Sequence, residues 1–524
     1  MFLKDFNLNK KDVYFLIITL IISLVLTGYY ILFNANLGIY CSDVYVYLLN
    51  AVYFNGTNIN SANTIYLSPI ICYLTSLLFR LGLNDKIAIF IVTGIFAIVG
   101  NIGLYLLLKT RFDEILSLCG VILYSTFAIN LTWLANGTLD IPAVSITILI
   151  VLLSIVAINK NPKYYVLLVP MLVIGIFTRY TVILILPVLA LYYIYYKGFT
   201  VDKKDLKYIL IGIILGIAIL AIIYIKIDHM SFGNIGVNSQ ISGGVSGDKG
   251  STIDQAYNTD TFYYLTNFIN FISSSSVSLA TKTPVLENPT INSFIIIAIL
   301  AIGSILFIER NDFKLKENLL PIAIFIISLV TFNHISSFIT IILTFIGLFL
   351  VGRNSENKTG IVMLGWILAY LIFFSYYNIK VNRYIIPAIP PLVYLILSGI
   401  ELINEKTNIN RNIIPITLII LFLIQGFTFC FAFEDTQDYK AIEDMSDYIK
   451  SEVPDYSNQT IGVYNMRLYH WYLGKNVTGI ESNNQTKIEE ANITYYISNI
   501  PQDNLTNFKE IKNIENLYLY EKSV

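Results

Sequence analysis

From Val13 to Phe33 the chain runs for 21 residues without a single charged side chain. At 1.5 Å per helical residue such a run crosses the hydrocarbon of a bilayer, and it cannot be left in water. No small-residue cleavage site follows it, so it reads as a retained span rather than a cleaved signal. Similar stretches recur near 12–33, 87–108, 115–133, 139–158, 164–178, 180–196, 208–226, 292–308, 319–333, 336–352, 360–377, 384–403 and 413–433, thirteen in all. Composition agrees. Only 13% of the 524 residues are charged, about half the share usual in soluble chains. The expected fold is an all-α polytopic membrane protein of about 13 transmembrane helices, followed by a small C-terminal α/β domain outside the cytoplasm.

The loop charges give the expected orientation. With the N-terminus inside, eighteen Lys and Arg fall in short loops on one side, among them Lys10, Lys11, Lys109, Arg111, Lys204 and Arg310. The other side holds eight, although its loops are far longer. Positive charge marks the cytoplasmic side. The N-terminus is therefore expected to be cytoplasmic, with Ser246 and Asn484 outside. The stretch 67–81 is apolar, but counting it as a span would break the alternation, so it is expected to lie in the outer interface. Residues 1–433 then form the membrane domain, with outer loops 34–86 and 227–291, and residues 434–524 form the extracytoplasmic domain. The second loop opens on GNIGVNSQISGGVSGDKGS, too polar to fold alone, and turns apolar at DTFYYLTNFINFI. In the tail, a helical pattern (YKAIEDMSDYIKSEV) precedes strand-like runs TIGVYN, ITYYISNI and NLYLYEK.

Charge at the edge of a membrane core is expensive and usually serves a purpose. Four such residues fall at outer helix ends: Asp43, Asp140, Arg179 and Arg383. Each alone has a plainer explanation. Ser42 or Asp43 could cap the helix VYVYLLNAVYF, and Asp140 could open a helix ahead of Ile141-Pro142. The arginines could snorkel to lipid headgroups. Together they supply two carboxylates and two guanidiniums on one side of the membrane. A carboxylate can take the proton of an acceptor hydroxyl, and arginine can hold a leaving phosphate with paired hydrogen bonds. His229 and His334 are isolated and make no metal motif. The four cysteines (Cys41, Cys72, Cys119, Cys430) show no C-x-x-C spacing, and a Cys41–Cys72 bridge is not expected.

Four segments, SDVYVYLLNAVYF, NGTLDIPAVS, GIFTRYTVILILPVLALYY and NRYIIPAIPPLVYLIL, resemble the membrane glycosyltransferases of the C-type fold. The nearest branch holds the protein O-mannosyltransferases and the aminoarabinose transferase acting on lipid A. The resemblance implies sugar transfer from a polyprenyl-phosphate donor, dolichyl or undecaprenyl, to a hydroxyl of a lipid, glycan or protein acceptor at the outer face. It implies a catalytic base at Asp43, a second acidic position at Asp140 and an arginine for the phosphate at Arg383, and it implies inversion in a single displacement. Arg179 joins Arg383 as a donor-phosphate residue on charge and position. The lysine that the lipid A branch places before a proline pair has no counterpart in TIYLSPIICYL, and the W-W-D-Y-G motif of oligosaccharyltransferases is absent. No cofactor is expected, a divalent ion is not among the expectations, and the near-neutral net charge gives no footprint for nucleic acid.

Two other classes fit less well. A transporter or flippase would show related halves and midplane charges, and neither is seen. A polysaccharide polymerase or ligase would gather arginines in a large outer loop, whereas 227–291 has none.

Overall fold

A computed structural model of the chain describes residues 6, 8–56, 68–226, 260–274, 289–310, 318–332, 334–353, 355, 357–377, 380–407, 409–431 and 438–523. In chain order the helices of the first part are α1 (Lys10–Leu37), α2 (Ser42–Phe54), α3 (Pro69–Arg80), α4 (Ile87–Lys109), α5 (Glu114–Thr126), α6 (Ala128–Thr132), α7 (Asp140–Asn159), α8 (Tyr165–Thr178), α9 (Leu186–Lys197) and α10 (Lys203–Lys226). The short pair α11 (Tyr263–Thr266) and α12 (Phe268–Ser273) comes next. The remaining apolar helices are α13 (Ile291–Arg310), α14 (Leu319–Val330), α15 (Ser337–Gly352), α16 (Lys358–Tyr376), α17 (Ile389–Thr407) and α18 (Ile413–Phe431). Short 3₁₀ segments lead into α8, α9 and α17.

The packing is that of a protein dissolved in lipid. α7 is almost wholly buried at the centre, whereas α10 presents Leu210, Ile213, Ile214 and Ile217 outward. Such faces belong against hydrocarbon, where apolar exposure carries no penalty. The protein is a multi-pass membrane protein. Small residues let its helices approach closely: a Cβ on Gly303 of α13 would stand 2.6 Å from the Cα of Gly399 in α17.

Among the described residues, length and hydropathy qualify eight helices to cross a membrane. The other five expected stretches fall on shorter apolar helices, so thirteen crossings do not follow from helix length. The expected interface segment is α3, whose twelve residues reach only about 18 Å, too short to span. The hairpin 164–196 is interrupted at Arg179, which has extended backbone between α8 and a 3₁₀ turn. The Gly/Ser-rich opening of the second long loop lies outside the described residues. Its apolar end forms α11 and α12, with Tyr263, Tyr264, Phe271 and Ile272 all buried.

The C-terminal unit opens with α19 (Asp438–Glu452), the helix expected from its periodicity, and continues through β1 (Ile461–Val463), α20 (Met466–Leu473), β2 (Thr478–Gly479), α21 (Gln485–Glu490), β3 (Tyr495–Ser498), β4 (Phe508–Ile514) and β5 (Leu517–Lys522). The strand order is β2-β1-β3-β5-β4. β1 runs parallel to β2 and β3, and β5 runs antiparallel to β3 and β4. Its core is continuous with residues of α2, α3 and α4, so the sheet unit sits on one end of the bundle. The contact is tight at Gly38, the C-cap of α1. There φ is +97°, and a Cβ would lie 2.8 Å from the Tyr439 carbonyl oxygen.

Candidate active site

All four charged residues singled out in the sequence come together beneath the C-terminal unit. Asp43 lies in the first turn of α2, Asp140 opens α7, Arg179 follows α8, and Arg383 lies in the 3₁₀ turn ahead of α17. Arg383 Nη2 donates to Asp43 Oδ2 at 2.5 Å, and its Nε stands 3.8 Å from Asp140 Oδ2. Arg179 Nη1 donates to Asp140 Oδ1. The result is a chain of alternating charge, Asp43–Arg383–Asp140–Arg179.

The capping readings do not hold. Neither α2 nor α7 has a side-chain hydrogen bond at its N-cap, which is Cys41 in one and Leu139 in the other. The carboxylates bond guanidiniums instead.

The two carboxylates differ in access. The Asp140 side chain is 1% exposed, whereas that of Asp43 is 35% exposed. Burial pushes the Asp43 carboxyl up. The charge and hydrogen bond of Arg383, with the charges of Arg179 and Arg467, outweigh this and hold it below the usual aspartate range. Asp43 is thus a part-exposed carboxylate held in its ionised form at neutral pH, and Asp140 is a buried counter-ion between two arginines.

Several partners had no signal in the sequence. Arg383 lies over the Trp133 ring at 5.5 Å and the Tyr384 ring at 5.9 Å, and Arg179 lies over Tyr384 at 5.0 Å. Aromatic faces hold a guanidinium without neutralising it. Trp133 is itself held by Asn382, its Nε1 donating to Oδ1 at 3.1 Å. Arg467, from α20, brings the C-terminal unit into the field acting on Asp43. Cys41 accepts from Arg383 Nη1 at 3.0 Å, and burial pushes its thiol up to about 11, so it stays a neutral thiol. Cys41 and Cys72 are unbridged.

The loop Trp133–Leu139 sets the spacing between α2 and α7. Asn34 Nδ2, from α1, donates to the carbonyls of Leu134 and Ala135 at 2.9 and 3.0 Å. Asn136 Oδ1 accepts from the Thr138 backbone and hydroxyl at 3.0 and 2.7 Å, while its amide donates to the Tyr40 hydroxyl at 3.0 Å. Gly137 has φ +88°, and a Cβ there would sit 2.7 Å from Val44 Cγ1, beside Asp43. The Asn-Gly pair is there because the turn needs it.

The family description that matches is dolichyl-phosphate-mannose-protein mannosyltransferase, over residues 67–224. No curated protein sequence matches the chain. Among solved structures, ArnT from Cupriavidus metallidurans bound to undecaprenyl phosphate superposes with a TM-score of 0.63 at 9% identity, covering 96% of this chain and 97% of that one. The apo structure of the same protein gives 0.61 at 10% identity, with the same coverage. The chain therefore has the fold of these ArnT structures over almost its whole length.

Proposed function

We propose that the protein is a membrane glycosyltransferase that moves a sugar from a polyprenyl-phosphate donor to an acceptor hydroxyl. The reading rests above all on one observation: a reachable carboxylate, Asp43, is hydrogen-bonded to a part-buried arginine, Arg383, at the end of an apolar bundle. The ArnT fold, crystallised with undecaprenyl phosphate, and the partial mannosyltransferase match support the donor class. The charge pattern supports placing the site and the C-terminal unit outside, with the N-terminus in the cytoplasm.

The chemistry follows from the charges. A donor phosphate entering the site competes with Asp43 for Arg383, and a guanidinium has donors for a bidentate grip on phosphate. Asp43 released from that pair can accept the acceptor's proton. The hydroxyl oxygen then bonds to the anomeric carbon as the bond from that carbon to the phosphate oxygen breaks. The electron pair leaves with the polyprenyl phosphate, whose charge Arg383 and Arg179 stabilise. Attack opposite the leaving group inverts the anomeric centre. Asp140 keeps both arginines in place and touches neither substrate.

Purified wild-type protein and Asp43→Asn, incubated with polyprenyl-phosphate sugars and candidate acceptors, test the reading. A positioned base contributes about 10²–10⁴-fold, so Asp43→Asn should lose that much transfer while the protein stays folded, the lost pairing with Arg383 lowering the melting temperature only slightly. Activity within a few-fold of wild type would remove Asp43 from the mechanism.

A further inference from the structure

Away from the arginines, a cleft of about 480 Å³ opens between the far end of α2, the turn before α4, and the C-terminal unit. That volume is ordinary for a small-molecule site. Val52 and Asn55 are contributed by the end of α2, Asn84 and Asp85 by the turn, and Trp471 by α20. Asp43 and Asn55 share one helix and stand about 18 Å apart along it. The cleft is therefore outside the reach of groups reacting at Asp43 itself.

We propose that this cleft is a saccharide-binding subsite. Its charges are largely matched internally. Lys86 and Lys440 pair with Glu443, the latter at 2.8 Å, and Lys450 pairs with Asp447 at 3.3 Å. A phosphate or sulfate would have to break those pairs, and a lipid tail would have to desolvate them. What remains on offer is a set of hydrogen-bonding arms, Asn55, Asn84 and the Oδ2 of Asp85, whose Oδ1 accepts from the Ile87 backbone at 3.2 Å, around one large ring. Trp471 is part-exposed in the wall and is stacked on the buried Phe79, ring centroids 6.1 Å apart and 21° between planes. Phe79 fixes the indole so that it loses little freedom when a ligand lies on it. A sugar has the complementary chemistry: a C–H face carrying partial positive charge for the negative face of an aromatic ring, and hydroxyls around its edge for amides and carboxylates. Under the transferase reading above, on which this assignment rests, the cleft receives the non-reacting sugars of a glycan acceptor whose reactive hydroxyl lies at Asp43. Saccharide binding itself does not depend on that reading.

The full-length protein in detergent, without donor, is titrated with mannotriose, cellotriose and N-acetylated chitotriose while tryptophan emission is followed. The chain has three tryptophans, and Trp133 and Trp366 are 7% and 0% exposed, so Trp471 is the one a cleft ligand can touch. At least one trisaccharide should give a saturable change. Calorimetry should then show binding weakened about tenfold in Trp471→Ala and largely kept in Trp471→Tyr. It should also weaken in Asn84→Ala, an exposed position whose truncation spares the fold. No saturable response to any of the three, or affinity unchanged in both Trp471→Ala and Asn84→Ala, overturns the proposal. So does a blue shift on reconstitution into phosphatidylcholine vesicles without a saccharide response, which makes Trp471 a membrane anchor. Binding without sugar transfer from any donor would leave the subsite standing and sink the transferase reading; transfer without binding would do the reverse.

Discussion

Arg383 serves two masters, and its substitution should separate them. Replacing it with Ala removes the proposed grip on phosphate and also the charge that holds the Asp43 carboxyl low. Lys restores the charge but not the two-pronged contact. Transfer should therefore be lost in Arg383→Ala and only partly recovered in Arg383→Lys, when purified variants are assayed with a polyprenyl-phosphate sugar. The acid limb of kcat/KM carries the sign. With Arg383 present, the folded value for Asp43 lies below its ordinary one. The base is ionised, and its pairing stabilises the fold, at all pH above the unfolded value; both are lost as pH falls through the folded value. Any residual activity of Arg383→Ala should show that limb at higher pH. Asp140 answers to a different test. It is a buried partner of two guanidiniums, so Asp140→Ala leaves them uncompensated and should cost about 3–5 kcal/mol, read as a fall in thermal stability well beyond that of Asp43→Asn, whose carboxylate is part-exposed. A melt unchanged by Asp140→Ala would mean that its two contacts hold nothing together.

Among the elements, the turn between α6 and α7 is the one on which the site depends most. Gly137 occupies a left-handed conformation against Val44, the residue after Asp43. A Cβ there meets backbone strain of about 1–3 kcal/mol as well as the Val44 side chain. Gly137→Ala should therefore lower transfer well beyond its effect on helix content, measured by activity beside circular dichroism. An active Gly137→Ala would show that α2 tolerates the shift. The same turn explains where the sequence was readable. Charge at a helix end stands out in a chain with so few charges, so Asp43, Asp140, Arg179 and Arg383 could be picked from linear order alone. α19 and the strands β1, β3 and β5 were visible as period 3.6 and period 2. Trp133, Tyr384 and Asn34 were not, because an aromatic or an amide in a chain rich in both carries no mark until a neighbour arrives from far along the sequence; Arg467 was not, because charge is common in the C-terminal unit where it lies. β4 stayed hidden for a related reason. Its FKEIKNI pattern is polar on both faces and is irregular between Glu510 and Lys512, so alternation gave no cue.

For the molecule as a whole, the charge distribution carries the orientation. Lys204 and Arg310 are expected in the cytoplasm and Asn484 outside, with Ser246 expected there too, though it falls beyond the described residues. Single cysteines placed at Lys204 and Asn484 in a cysteine-free background, labelled by an impermeant reagent in intact cells, decide the matter; labelling of the first and not the second inverts the topology. At the end opposite the arginine site some of the described charges are paired, Asp12 with Lys109 at 3.2 Å and Arg310 with Glu405 at 2.9 Å. The alternating chain at the site bears on how the protein is made. Asp140 and Arg179 lie on consecutive helices and can neutralise each other as soon as that pair has entered the bilayer. Arg383 is synthesised some two hundred residues later, and Asp43 has been waiting for it since the first helix. Biogenesis therefore passes through a stage in which the inner ion pair exists and the outer one does not. The Asp43–Arg383 pair cannot close before the late helices are made, so under the proposed mechanism a chain stalled before Arg383 would lack transferase activity.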